Sequence, residues 1–114
     1  MYKVEVNNAK KVLFITVGGF FQEEDGKNFL NDYNNAVKSI TPSSFTLALE
    51  SSELSTSKAE MIPILENCIK MYKATGFKNI VSTPPSSAIA AMQLKRVLSS
   101  LNVDIEFISD LSKL

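Results

Sequence analysis

No histidine occurs anywhere in these 114 residues. Its absence removes the commonest general base near neutral pH and the commonest metal ligand. With it go the Ser-His-Asp and Cys-His nucleophilic centres. Cysteine is nearly absent as well. Cys68 stands alone, so no internal disulfide can form and nothing points to an oxidising compartment. A charge of one sign is lacking too, because twelve basic residues balance twelve acidic ones. No net field draws the chain to nucleic acid or to an anionic membrane. No apolar run approaches the roughly 18 residues that span a bilayer. The first residues show no signal-peptide pattern, and there is no Asn-x-Ser/Thr acceptor. The expectation is a cytoplasmic protein with no nucleic-acid partner and no integral membrane segment.

Glycine is scarce, and Gly18-Gly19 has neither the Gly-x-Gly-x-x-Gly spacing nor a Walker lysine, so no phosphate loop is expected. The pair serves as a sharp turn, with Phe20 and Phe21 as packing anchors. No cofactor and no metal are expected.

What is present suits one domain over residues 1–114. Apolar residues make up 45% and charged residues 21%, enough for a core without staples. Tyr2, Val4 and Val6 alternate with Lys3 and Glu5, which predicts a strand over 2–7 with one wet face. A turn at 7–10 and an apolar run at 12–17 complete an antiparallel hairpin. Phe29, Tyr33, Ala36, Val37 and Ile40 fall at helical spacing and predict a helix over 23–40. Its acidic start, Glu23-Glu24-Asp25, matches the helix dipole better than it matches a cation site.

Residues 45–49 form a short apolar run, a buried central strand. Ser57 and Glu60 have capping-box spacing for a second helix with Met61, Leu65, Cys68, Ile69 and Tyr72 on its stripe. Pro63 then falls past the first turn, which requires a kink or a later start. A strand over 78–82, a helix with Ala91, Leu94, Leu98 and Leu101 inward, a strand over 103–108 and a short tail helix complete the chain. The fold class is α/β: a single-domain β-β-α-β-α-β-α-β, a mixed five-stranded sheet packed with helices.

Three stretches carry a resemblance. They are Gly19, Glu24 and Asp25 before the first helix, the strand Thr46–Glu50 with its polar loop, and the strand-helix unit from Lys78 to Leu101. With that element order, the chain resembles the STAS domain of anti-sigma-factor antagonists, in a divergent SpoIIAA-like form. The family's Asp-Ser-Ser/Thr-Gly loop, where a partner kinase phosphorylates serine, corresponds here to Ser55-Thr56-Ser57-Lys58. The leading Asp and closing Gly are missing. The resemblance therefore implies the character of a binding module.

The site candidates are two serine-rich loops: Ser51, Ser52, Ser55, Thr56 and Ser57, then Ser86 and Ser87. Each follows a parallel strand, so both are expected at the carboxyl ends of the strands, where open α/β sheets bind ligands. Helix N-termini there offer N–H groups to anions. The competing reading is that these serines cap helices. Cys68, on an apolar stripe, reads as a packed thiol. Lys95-Arg96 reads as a solvated face.

The leading expectation is a non-enzymatic regulatory or protein-interaction module. A domain binding a small anionic or lipid-like ligand is the alternative. A small enzyme working through Glu50, Glu53 and Lys58 is a third reading. A homo-oligomer built on the hairpin edge or on Phe20-Phe21 is a fourth.

Overall fold

Period-two alternation at the start of the chain builds a hairpin. In the computed structural model, which describes residues 2–17, 23–52 and 62–114, β1 (Tyr2–Asn7) pairs antiparallel with β2 (Val12–Val17) from Tyr2↔Val17 to Asn7↔Val12. The turn is held by the Asn7 side chain, whose Oδ1 accepts from the Lys10 amide at 3.0 Å. Lys11 closes the turn at φ 54°, a left-handed conformation with a steric cost for any residue bearing a Cβ. Two contacts offset that cost. The Lys11 carbonyl accepts from the Thr46 amide at 3.0 Å, and its ammonium lies 5.6 Å from the Phe45 ring centroid.

From β2 onward, helices alternate with parallel strands. The elements are α1 (Glu23–Lys38), β3 (Thr46–Glu50), α2 (Ile62–Thr75), β4 (Asn79–Ser82), α3 (Ala88–Leu101) and β5 (Glu106–Phe107), then a 3₁₀ turn at Leu111–Lys113. The sheet order is β1-β2-β3-β4-β5, with every pair after the hairpin parallel. Right-handed crossovers between strands laid down in sequence put every helix on the same face. The packing agrees. Phe29 and Tyr33 of α1, Ile69 and Tyr72 of α2, and Leu94, Val97 and Leu98 of α3 join Leu13, Ile15, Leu47 and Leu49 in one core. An aromatic chain crosses it, with Phe29 6.0 Å from Tyr33 and Tyr33 5.6 Å from Tyr72 between ring centroids.

The opposite face of the sheet carries Val12, Ala48 and Val81. No helix among the described residues covers it. Leu111 of the C-terminal turn does, with Ile108 and Leu114 at its margin. Asp110 fixes that turn by accepting from the Ser112 amide at 2.9 Å.

The structure corrects several boundaries. α1 ends at Lys38, and the chain leaves it through turns in which Ser39 and Ile40 donate to Ala36 and Val37. Pro63 lies within α2 as described from Ile62, and the residues before Ile62, on which the choice between a kink and a later start depends, lie outside the described residues. The capping pair Ser57 and Glu60 lies outside the described residues, as do Gly18 to Phe21. The inward face of α3 runs through Ala90, Leu94, Val97 and Leu98, with Ala91 only half-buried. The strand expected over 103–108 pairs only at Glu106 and Phe107. Val103 and Ile105 instead pack into the helix-face core.

Candidate functional site

The β3 and β4 strands end side by side, so the loops that follow them emerge at the same end of the sheet. The two described parts of the serine-rich pair meet there. Ser51 and Ser52 follow β3. Ser86 and Ser87 lie past β4, beyond Thr83-Pro84-Pro85. Ser55, Thr56 and Ser57 lie outside the described residues, with Glu53 and Lys58.

Glu50 organises the junction. Its Oε1 accepts from the Ser52 hydroxyl at 2.6 Å, the Ser52 amide at 3.2 Å and the Thr83 hydroxyl at 2.8 Å. The same Thr83 oxygen accepts from the Ser51 amide at 2.9 Å. The Thr83 amide donates to Leu49, continuing the β3–β4 ladder past its last pair. Ser86 closes the junction from the far side, its hydroxyl donating to the Ser52 carbonyl at 2.7 Å and its amide to the same oxygen at 3.2 Å. The buried Ser82 hydroxyl sits 3.2 Å from the Ser51 hydroxyl and 2.9 Å from the Thr83 carbonyl. The described start of the first loop, Ser51 and Ser52, is thus hydrogen-bonded to the second through Thr83 and Ser86.

The serines divide into two tasks. Ser87 is the N-cap of α3, accepting from the Ala90 amide at 3.2 Å, which is the capping role expected of such residues. Ser52 and Ser86 instead tie loop to loop. Partial burial of Glu50 works to raise its pKa, but the donors from Ser52 and Thr83 outweigh it and hold the carboxyl below the ordinary glutamate value. A carboxylate held ionised by three donors is a poor general base, since proton abstraction needs a pKa near the working pH. Thr83 was not a candidate from sequence. It lies 33 residues from Glu50, and no local motif signals that pairing.

Beside this junction, α3 presents two exposed apolar side chains in its first two turns. Ile89 is 57% and Met92 52% exposed. They lie three residues apart on one side of the helix.

A concavity lies at the other end of the strands. An open groove of about 550 Å³ runs between the amino ends of β4 and β5 and the ends of α2 and α3, with Phe77, Ile80, Val103 and Ile105 on its wall and Lys78 and Asp104 beside them. Lys73, also on the groove, donates to the Leu101 and Asn102 carbonyls at 3.2 and 3.3 Å, closing the C-terminus of α3. Among the described residues, no cluster of His, Cys, Asp or Glu could hold a metal ion, and no helix is long and apolar enough to cross a membrane. Cys68 is partly buried against the core, and burial pushes its thiol pKa up, which disfavours the reactive thiolate.

The chain matches no protein-family model and no curated protein.

Proposed function

We propose that the chain is a non-enzymatic protein-interaction module of the STAS kind, with a regulatory role, and that its contact surface is the carboxyl end of β3 and β4 with the first turns of α3. The exposed Ile89–Met92 pair beside the Ser52–Ser86 junction carries this reading. Exposed apolar side chains supply desolvation energy to a partner. Next to them Ser51, Ser52, Thr83 and Ser86, bonded to one another and to Glu50, supply polar groups already positioned before binding, so less ordering entropy is lost on association. The Glu50 carboxylate, held below its ordinary pKa by three donors on one oxygen, supports a surface that binds over one that reacts.

The test is capture from native lysate by wild type and by an Ile89→Asp/Met92→Asp variant. A partner held by wild type and lost by the variant is the expected result. A partner retained by the variant refutes the contact surface. Absence of any specific partner refutes the interaction reading itself.

The groove at the amino ends of β4 and β5 favours a second reading, binding of a small molecule with an apolar body and an anionic head. Its apolar wall and the Lys78 ammonium are the motive. Titration with medium-chain alkyl phosphates, followed by amide chemical shifts, tests it. Shifts confined to Phe77–Ile80 and Val103–Ile105 support it, and a flat titration removes it.

A further inference from the structure

The two edges of the sheet differ. β5 is an edge of two residues, too short to template another strand. β1 is an edge of six residues, and among the described residues nothing pairs with its outer side. Tyr2, Val4 and Val6 of β1 project onto the helix face and are half-buried there. Lys3 and Glu5 project onto the opposite face, both exposed, with Lys3 Nζ 2.9 Å from a Glu5 carboxylate oxygen.

We propose that β1 is the site of self-association, pairing antiparallel with β1 of a second copy about a two-fold axis at Val4, so that the two sheets become one. The sequence of the edge selects this partner and this register. With the axis normal to the sheet at Val4, residues 2 to 6 face residues 6 to 2 of the other copy. Lys3 then stands opposite Glu5 and Glu5 opposite Lys3, while Tyr2 faces Val6 and Val4 faces Val4. Opposed residues in an antiparallel pair project to the same face, so apolar side chains meet on the helix face and charges meet on the other. The four charges alternate in sign, and each has two neighbours of opposite charge. Moving the axis to Lys3 sets Lys3 against Lys3. Moving it to Glu5 sets Glu5 against Glu5. Like charges directly opposite are destabilising, so both slips are disfavoured. A lysine on an edge strand is ordinarily a guard against pairing. Here the glutamate two residues on cancels that guard for a second copy in one register.

Sedimentation velocity of the full chain tests the proposal, with wild type, Lys3→Glu, Glu5→Lys, their equimolar mixture and the double exchange Lys3→Glu/Glu5→Lys. Wild type is expected to dimerise, and each single variant to dissociate at least roughly tenfold more readily, since two attractive cross-strand pairs become repulsive. The mixture of the two singles is expected to pair, and so is the double exchange. Both positions are exposed, so thermal melts of the variants should stay close to wild type at a concentration low enough to keep every species monomeric, since dimerisation itself raises the melting temperature. A wild type still monomeric at about 0.5 mM overturns the proposal. So do single variants that dimerise as wild type does, or a mixture that fails to recover pairing.

Discussion

The two faces of this sheet are stabilised by different means. The helix face is thick. Three helices bring aromatic and aliphatic side chains onto Leu13, Ile15, Leu47 and Leu49, and Leu13 and Leu47 have no exposed surface. The other face is thin. Among the described residues, Val12, Ala48 and Val81 are covered by Leu111 of the C-terminal 3₁₀ turn with Phe14, Ile108 and Leu114 at the margin, and polar pairs such as Thr46–Asn79 and Glu50–Thr83 lie beside them. Parallel sheets need both faces covered. Because the strands run in sequence order, every crossover falls on one side, and the C-terminal segment must cover the other. Burial energy is therefore concentrated on one face, and hydrogen-bond order on the other.

That contrast predicts unequal costs for the same substitution. Leu47→Ala on the helix face should destabilise the protein by about 4 kcal/mol, because a central strand enclosed by helices cannot collapse onto the cavity. Leu111→Ala should cost less, about 2 kcal/mol, because a short turn near the end of the chain can settle onto the sheet. Urea unfolding of both variants measures the difference. Equal losses would break the comparison and make the tail as much a part of the core as the helices.

The helix face was legible in the sequence, and the other face largely was not. Period-two alternation placed Tyr2, Val4 and Val6 on one side of β1, and helical spacing picked out Phe29 and Tyr33. Those signals are local, because a helix or strand repeats its inward face within a few residues. The covering role of Leu111 has no such signal, since one leucine in a polar tail has no period. The strand expected over 103–108 is present but shorter, as β5 over Glu106–Phe107, for a related reason. Val103, Ile105 and Ile108 are apolar enough for a strand, but their burial comes from packing on α-helices and on the tail, and pairing is confined to two residues. In the candidate site, the caps and loops were legible as serine clusters. The pairing of Glu50 with Thr83 was not, because it is made by the alignment of β3 with β4 and by no spacing along the chain.

Polar groups sharpen the comparison at smaller scale. On the helix face, the Tyr33 hydroxyl lies 2.7 Å from Thr75 Oγ1, and the Thr75 hydroxyl donates to the Met71 carbonyl at 2.8 Å. Tyr33 is therefore the donor in their shared bond. Tyr33→Phe removes that bond and leaves Thr75 still bonded to Met71, so the expected cost is about 1 kcal/mol. A loss near that of Leu47→Ala would mean that the hydroxyl also positions the aromatic chain.

The smallest expected effect is the one that reads the thin face directly. Glu50 is held ionised in the folded protein by Ser52 and Thr83, so its folded pKa lies below its unfolded one. The unfolded chain then binds more protons than the folded chain in the window just below the ordinary value of 4.5. The stabilisation is complete above that value and is lost as pH falls through the lowered one. Glu50→Gln keeps an acceptor for both hydroxyls but loses the charge. At neutral pH it should cost less than about 1 kcal/mol, because the partly solvated carboxylate is screened. Its distinguishing mark is the pH profile. Wild-type stability should decline with acid more steeply than the variant's as pH falls through and below 4.5, and the two curves should converge once Glu50 is protonated in the folded protein as well. Parallel curves through the whole range would show that the junction of the two loops owes nothing to the charge on Glu50, and that the hydroxyls and backbone amides hold the candidate site together without it.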